Sequence, residues 1–255
     1  MRRVHRERVL ALAGPRALLL MAAHPVAFEG FFAQTAALDD PYSRLRRTAE
    51  ILSLITYGPR RAADEATARV RAVHRTVRGV LPQAAGRFPA GTPYAADDPA
   101  LLLWILASLF DSSLLVHDRY VGTLSRAERE DYWRDYRLVG KLFGLRPRDM
   151  PRELRDLEEY VRATLAGPDL HVTERARELA VRIVLRPPVP LAHRPFLELA
   201  NFVTVGLLPG RLREAYGLGW DGARSLALIG GAEYSRRVLL PLLPGRVRYA
   251  RPQAA

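Results

Sequence analysis

Apolar residues recur every three or four positions along nearly every long segment of this 255-residue chain. This spacing places them on one face of an α-helix. No segment shows the strict alternation of apolar and polar residues, bounded by hairpin turns, that is typical of a half-buried sheet. The pattern therefore predicts an all-α protein, and we expect a single domain over residues 1–255.

Capping signals predict where the helices begin. Asp40-Pro41 and Asp98-Pro99 each place proline after a capping aspartate, and Ser125 with Glu128 matches a capping box. The predicted helices cover about residues 41–57, 62–77, 100–119, 126–144, 151–166, 174–185, 195–207, 210–216 and 222–241. The longest connecting segment is 81–97, and loops of that length in a compact domain are often functional.

Composition excludes several classes of site. Cysteine is absent, which excludes disulfides, iron–sulfur clusters and thiolate-ligated haem. The longest apolar runs, 17–23 and 100–110, are shorter than the ~18–20 residues that span a bilayer. We therefore expect no transmembrane segment and a cytoplasmic protein.

The chain is strongly basic, with a net charge of +12. Such a charge allows a nucleic acid or an anionic membrane as a partner. Acidic residues are interleaved with the arginines, however, as in residues 126–137 and 152–162. This mixing favours a solvated basic surface, so we expect no nucleic-acid partner.

His74 carries the most informative single signal. Val70, Val73, Val77 and Leu81 stand at offsets that place them on its helical face, which predicts an imidazole pointing into the core. A neutral imidazole in an apolar pocket is how proteins hold haem iron. A core histidine satisfied by hydrogen bonds to protein would give the same pattern.

A second candidate group combines a hydroxyl with guanidinium groups. Thr48 lies within the apolar stripe of its predicted helix, and Arg44 and Arg47 flank it. Such a group beside an apolar pocket can orient dioxygen, bind a haem propionate or stabilise developing negative charge. The alternative is a solvated basic face with one threonine bonded to its own backbone.

Three further polar residues have candidate roles. Two of them allow a functional or a structural interpretation, and the third is interpreted as structural. Glu29 stands among phenylalanines, where a carboxylate has a raised pKa and can act as a base, or can extend to water instead. His24 precedes Pro25 and either lines a pocket mouth or forms a structural turn. Asp111 interrupts the most apolar helix, so we expect it to meet an arginine or a backbone donor.

Several short segments, in their order and spacing, resemble a known family. The segments are residues 16–25, 40–48, 73–79, 93–94, 98–104, 121–125 and 208–217. Together they resemble the rubber-oxygenase (latex-clearing protein) and mycophenolic-acid-pathway oxygenase catalytic domain. The resemblance implies an all-α fold with a globin-like core around a haem b pocket.

The resemblance also implies roles for particular residues. His74, in an H-x-x-V-R context shared with Arg78, falls on the proximal haem ligand of the family. Arg44 and Thr48 fall on distal-side positions near the iron. Arg47 falls on a lysine of the rubber oxygenases, and an arginine stays protonated and does not ligate iron.

The same resemblance implies something about further positions. Glu29 lies about where rubber oxygenases carry a proposed catalytic glutamate. His24 and Arg78 are expected to contact the haem. Leu106 departs from the family, because many relatives have a histidine just after the tryptophan of this helix.

These implications predict a haem-b-dependent oxygenase. Its expected partners are dioxygen and a small apolar, olefinic substrate of terpenoid or isoprenoid type, cleaved at the double bond. Leu52, Ile55 and Trp104 are expected to line the substrate channel. A non-catalytic helical protein that binds haem or an apolar ligand is the alternative.

Overall fold

A computed structural model describes residues 1–30 and 41–250 of the chain, and the side chains of residues 41–45 lie outside the described part. Within those ranges the chain is helical apart from one two-stranded hairpin. The all-α prediction is confirmed. The single-domain organisation and the globin-like core stay predictions.

The helices and strands follow one another along the chain with short connections. The elements are α1 (Arg2–His5), α2 (Ala13–Ala22), α3 (Pro25–Phe28), α4 (Pro41–Tyr57), α5 (Arg60–His74), β1 (Arg78–Val80), β2 (Pro93–Ala95), α6 (Pro99–Tyr120), α7 (Arg126–Leu142), α8 (Leu154–Ala166), α9 (Glu174–Leu185), α10 (Arg194–Gly206), α11 (Gly210–Ala215), α12 (Gly222–Tyr234), α13 (Leu240–Leu242) and α14 (Gly245–Arg248). Single turns of 3₁₀ helix cover Arg8–Leu12, Pro147–Asp149 and Leu191–His193, and a π-helical turn covers Ser235–Leu239.

Two of the predicted capping groups begin their helices as expected, and the third, Asp40, lies outside the described residues. The Asp98 carboxylate accepts a hydrogen bond from the backbone N–H of Ala100 at 2.7 Å, at the first turn of α6. Ser125 and Glu128 form the reciprocal capping box of α7. These side chains satisfy backbone donors that a helix leaves open at its N-terminus.

Helix α5 ends at His74, three residues earlier than the spacing predicts. The backbone N–H of Thr76 bonds the carbonyl of Val73 at 2.9 Å, and the N–H of Val77 bonds the carbonyl of His74 at 3.2 Å. The Thr76 hydroxyl also donates to the carbonyl of Val73 at 2.8 Å. These tight turns replace the helical hydrogen bonds and lead into β1.

A hairpin that sequence periodicity missed closes the long connecting segment, with β1 directly before the segment and β2 near its end. Strand β1 pairs antiparallel with β2, with Arg78 opposite Ala95 and Gly79 opposite Tyr94. Each strand has three residues, which is too short for an alternating pattern to stand out. The hairpin ties the two ends of the segment together, so the loop leaves and returns at one place.

Helix α6 is the centre of the fold, because it contributes to two separate hydrophobic clusters. Leu106 and Phe110 belong to the first cluster, where Phe110 packs against the rings of α7. Leu101 and Trp104 belong to the second cluster, with the apolar residues of α2, α3 and α9. The two clusters therefore share one helix.

The same helix has 22 residues and is apolar enough to cross a membrane by length and composition. Of the helices in the described ranges, it alone meets that test, and most of its apolar window is buried inside the fold. Burial of this kind is what the central helix of a packed domain shows.

A buried arginine joins three parts of the core. The guanidinium of Arg16 on α2 donates to the Asp111 carboxylate at 2.8 Å and to the Ser112 hydroxyl at 2.7 Å, both on α6. It also donates to the backbone carbonyl of Leu207, which follows α10, at 2.8 Å. The prediction that Asp111 meets an arginine in the core is confirmed.

Replacing Asp111 by alanine is expected to lower the free energy of unfolding by about 2 kcal/mol, because the buried Arg16 guanidinium loses its charged partner. Urea denaturation measures the change. Asp131→Ala is the matched control, since it removes an exposed ion pair with Arg134 and is expected to cost less than about 0.5 kcal/mol. Equal effects of the two substitutions would contradict the structural role of Asp111.

Candidate functional site

Helices α4 and α5 carry four of the predicted site residues, Arg44, Arg47, Thr48 and His74. They pack against each other and are joined by two residues, Gly58 and Pro59. A connection this short places the beginning of α4 beside the end of α5. Arg44, near the beginning of α4, therefore lies toward the same end of the pair as His74, whereas Thr48 lies near the middle of α4.

His74 is the last residue of α5, and its side chain is half-buried. Because the helix ends there, Val77 and Leu81 do not extend its helical face as the spacing predicted. Leu81 is buried in the second cluster, whereas Val73 is 59% exposed. The imidazole thus lies at a helix end, beside apolar side chains that the described chain leaves uncovered.

Four other histidines have positions that suit a ligand less well. His5 bonds a tyrosine hydroxyl at 2.9 Å, and His117 bonds a backbone carbonyl at 2.8 Å. His171 and His193 are exposed. Among these residues, His74 alone combines partial burial with a position beside the candidate arginines.

Exposed arginines stand on α4, directly after α5 and on β1. Arg47 and Thr48 are exposed on α4, and Arg75 is exposed directly after α5. Arg78 is exposed on β1 and bonds the Asp97 carboxylate at 2.9 Å. The helical backbone of Arg44 is part of α4, but its side chain lies outside the described residues. The exposed guanidinium groups suit the binding of carboxylates.

Glu29 follows α3 and is buried. Its carboxylate lies 3.5 Å from a guanidinium nitrogen of Arg175 on α9. Phe31 and Phe32, which suggested an aromatic environment, lie outside the described residues. The Glu29 carboxylate is therefore shielded from water and has a polar neighbour, the guanidinium of Arg175, which orients it.

His24 caps the N-terminus of α3. Its Nδ1 accepts a hydrogen bond from the backbone N–H of Ala27 at 3.4 Å, and its ring packs against Phe88 with centroids 5.2 Å apart. Burial lowers the pKa of His24 to about 4, so the ring is neutral near pH 7. This geometry favours the structural-turn interpretation, and contact with a cofactor stays a prediction.

Tyr94 connects the part of the chain carrying Glu29 with the part carrying His74. Its ring lies against Gly79 of β1, where an added Cβ would stand 2.5 Å from the Tyr94 hydroxyl. The same ring lies 3.7 Å from the Cβ position of Gly30. Sequence reasoning did not select Tyr94, although it stands in one of the segments that carry the family resemblance.

The expected substrate channel is not visible as one feature of the described chain. Ile55 packs against the first cluster and Trp104 lies in the second, while Leu52 is half-buried on α4. Two surface grooves, of about 680 and 310 Å³, are lined by residues between 185 and 224 and contain none of these three. The channel stays a prediction.

A metal bound by side chains alone has no candidate in the described ranges. No three His, Asp or Glu residues cluster there closely enough to hold an ion. A metal held by one protein ligand inside an organic cofactor needs no such cluster.

Comparison with known proteins decides the family. The sequence model described as ER-bound oxygenase mpaB/B'/Rubber oxygenase, catalytic domain, matches residues 1–237. The chain belongs to this family. The resemblance read from the short segments is thereby confirmed, and the chain is an oxygenase catalytic domain by family.

The relatives found by sequence carry no assigned activity. Uncharacterized protein Mb2261 of Mycobacterium bovis and Uncharacterized protein Rv2237 of Mycobacterium tuberculosis are each 28% identical to this chain over 190 residues. Each match covers 72% of this chain and 69% of the relative. No solved structure gives a significant match.

The neutral state of His24 predicts a pH dependence of stability. Its pKa is about 4 in the folded chain and about 6.5 when unfolded, so only the unfolded state takes up the proton between these values. Stability is therefore complete above about pH 6.5 and falls as the pH drops toward 4. His24→Asn keeps a capping acceptor and is expected to flatten this slope.

Urea denaturation at a series of pH values measures the effect. The slope is reduced rather than abolished, because burial also lowers the pKa of His5 to about 4. His193→Asn, at an exposed position, is the control and is expected to keep the slope of the parent chain. An unchanged slope in His24→Asn would contradict the buried, neutral state.

Proposed function

We propose that this chain is a haem-b-dependent oxygenase that uses dioxygen on a small apolar, olefinic substrate. Family membership supports the oxygenase class. The haem part rests on one observation, the half-buried imidazole of His74 at the end of α5 among exposed arginines and valines.

The residues around His74 fit the chemistry of a haem. The imidazole supplies the single nitrogen ligand that haem iron takes from a protein. Val73 and Val80 are 59% and 58% exposed, and a flat apolar ring system would cover such side chains. Arg75 would supply a guanidinium group for the carboxylates at the edge of the ring, and Arg78 would do so on leaving its bond with Asp97.

A bound haem would supply dioxygen activation, and the protein would supply the ligand, polarity and access. His74 would hold the haem iron through its neutral imidazole. Arg44, Arg47 and Thr48 of α4 would donate hydrogen bonds to negative charge that develops on oxygen. Arg47 stays protonated, so it would serve as a donor and not as a second ligand.

Glu29 would act as the base of the reaction. Its buried carboxylate is oriented by Arg175 and can accept an allylic proton from an olefinic substrate. Oxidative cleavage of the double bond would then give carbonyl products. Glu29 directly precedes Gly30, and the Tyr94 ring lies near both Gly30 and Gly79 of β1.

His74→Ala is expected to lower haem affinity by at least about 100-fold, because the axial ligand is lost. The protein is reconstituted with haem, and the Soret band and bound haem per chain are measured. His171→Ala, at an exposed position, is the control and is expected to bind haem like the parent chain.

Failure of the parent chain to take up stoichiometric haem would overturn the proposal. A second variant separates ligation from folding. His74→Gly leaves room for free imidazole, so added imidazole is expected to restore the Soret band if the ring is a ligand. Lack of rescue in a variant with normal circular dichroism would contradict ligation.

Thr48→Val and Arg44→Gln are expected to lower oxygen consumption by about 10- to 100-fold while haem content stays near normal, because each removes a donor to developing charge. An oxygen electrode with terpenoid and polyisoprenoid olefins measures turnover. Thr123→Val, in the exposed loop before α7, is the control. Haem uptake by the parent chain without oxygen consumption on any olefin would support the non-catalytic binder instead.

A further inference from the structure

Helix α12 is apolar, yet it lies on the surface. Its sequence contains two charged residues, Arg224 and Glu233. All of its residues are described, and of these only Ala232 is buried. Leu226 is 73% exposed and Ile229 is 54% exposed. A helix with this composition normally buries its apolar residues against a partner.

The neighbouring helix α10 has the same property. It packs against α12, where Leu228 lies beside Gly206, and the ring centroid of Phe202 lies 5.1 Å from that of Trp220, which precedes α12. On its outer face, Phe196 and Leu199 are 73% and 63% exposed, and Leu191 in the preceding 3₁₀ turn is 74% exposed. Neighbouring exposed apolar residues of this size mark an interaction surface.

Unpaired arginines stand beside these apolar residues. A groove of about 680 Å³ runs between the proline-rich connector 187–190 and α10, and Arg186, Arg194 and Glu198 line it. Both arginines are exposed, and neither forms an ion pair with a carboxylate of the described chain. Their guanidinium groups are therefore available to an anionic partner.

The surrounding part of the chain has the same sign of charge. Residues 186–250 contain nine arginines and no lysine against four acidic residues, a net charge of +5. We call Leu191, Phe196, Leu199, Leu226 and Ile229, together with Arg186 and Arg194, the docking face.

We propose that the docking face binds the surface of an anionic lipid bilayer. The apolar side chains enter the boundary between headgroups and acyl chains, and Arg186 and Arg194 bind lipid phosphates. A second copy of this chain fits less well, because a two-fold interface would oppose two surfaces of the same positive charge. The proposal uses no residue of the His74 region, so it stands independently of haem binding.

Vesicle sedimentation with the full chain tests the proposal. The protein is mixed with vesicles of phosphatidylcholine, with or without phosphatidylglycerol. We expect binding to the mixed vesicles, little binding to phosphatidylcholine alone, and weaker binding as the salt concentration rises. No binding of the parent chain to the mixed vesicles would overturn the proposal.

Charge variants test the arginines. Arg186→Gln combined with Arg194→Gln is expected to lower partitioning onto mixed vesicles by roughly 25-fold, about fivefold for each arginine. Arg148→Gln, at an exposed position before α8, is the matched control and is expected to bind like the parent chain. Equal losses in the two proteins would show non-specific charge attraction and would overturn the proposal.

Apolar variants test insertion. Phe196→Ser and Leu226→Ser are each expected to lower partitioning by roughly tenfold. The control, Leu138→Ser, changes a leucine on α7 that is 56% exposed, and it is expected to have no effect. Circular dichroism confirms that each variant is folded, and the Soret band is recorded in parallel, so loss of haem and loss of docking are scored separately.

Analytical ultracentrifugation tests whether a second copy of this chain, rather than a bilayer, covers the docking face. If Phe196→Ser converts a dimer of the parent chain to a monomer while vesicle binding is unchanged, a second copy covers this surface and the proposal is wrong. A monomeric parent chain that binds vesicles supports it.

Discussion

Burial of α6 is the constraint on which the rest of the structure depends. One part of this helix packs with α7 and α8 in the first cluster, and another packs with α2, α3 and α9 in the second. A polar group inside such a helix is costly unless it is paired. The ion pair between Asp111 and Arg16 meets that requirement, and Arg16 also donates to the carbonyl of Leu207, which ties α2 to the end of α10.

The candidate site lies beside this core rather than at its centre. The short connection between α4 and α5 places the beginning of α4 beside the end of α5, where His74 lies. The β1–β2 hairpin then brings the segment after His74 against the end of α3, with Tyr94 between them. Residues separated by about fifty positions thus belong to one region, which is how an oxygenase could combine a ligand, hydrogen-bond donors and a base.

The proposed substrate and the proposed docking face both involve an apolar environment. An olefinic substrate of low polarity dissolves in lipid better than in water, because burying apolar surface is favourable. An enzyme whose outer helices α10 and α12 lie on a bilayer would meet such a substrate where it is concentrated. The basic charge, which the sequence alone attributed to a solvated surface, then has a local role around Arg186 and Arg194.

Local chemistry in the sequence determined the helical class and most helix starts. Asp98 and Ser125 reach backbone donors within three residues, so their capping roles need no distant partner. The end of α5 was missed, because a short turn followed by a three-residue strand leaves no periodic signal. The family could be recognised from the sequence alone, because the short segments that carry the resemblance stand in a specific order and at a specific spacing.

Tertiary structure alone decided which groups meet. The sequence indicated that Asp111 needs a donor, but the choice of Arg16, 95 residues away, depends on how α2 packs on α6. Likewise, Arg175 reaches Glu29 across 146 residues because α9 packs near α3. The exposure of Leu226 and Phe196 could not be read from their apolar character, since periodicity predicts a buried face whether or not the fold provides a partner to cover it.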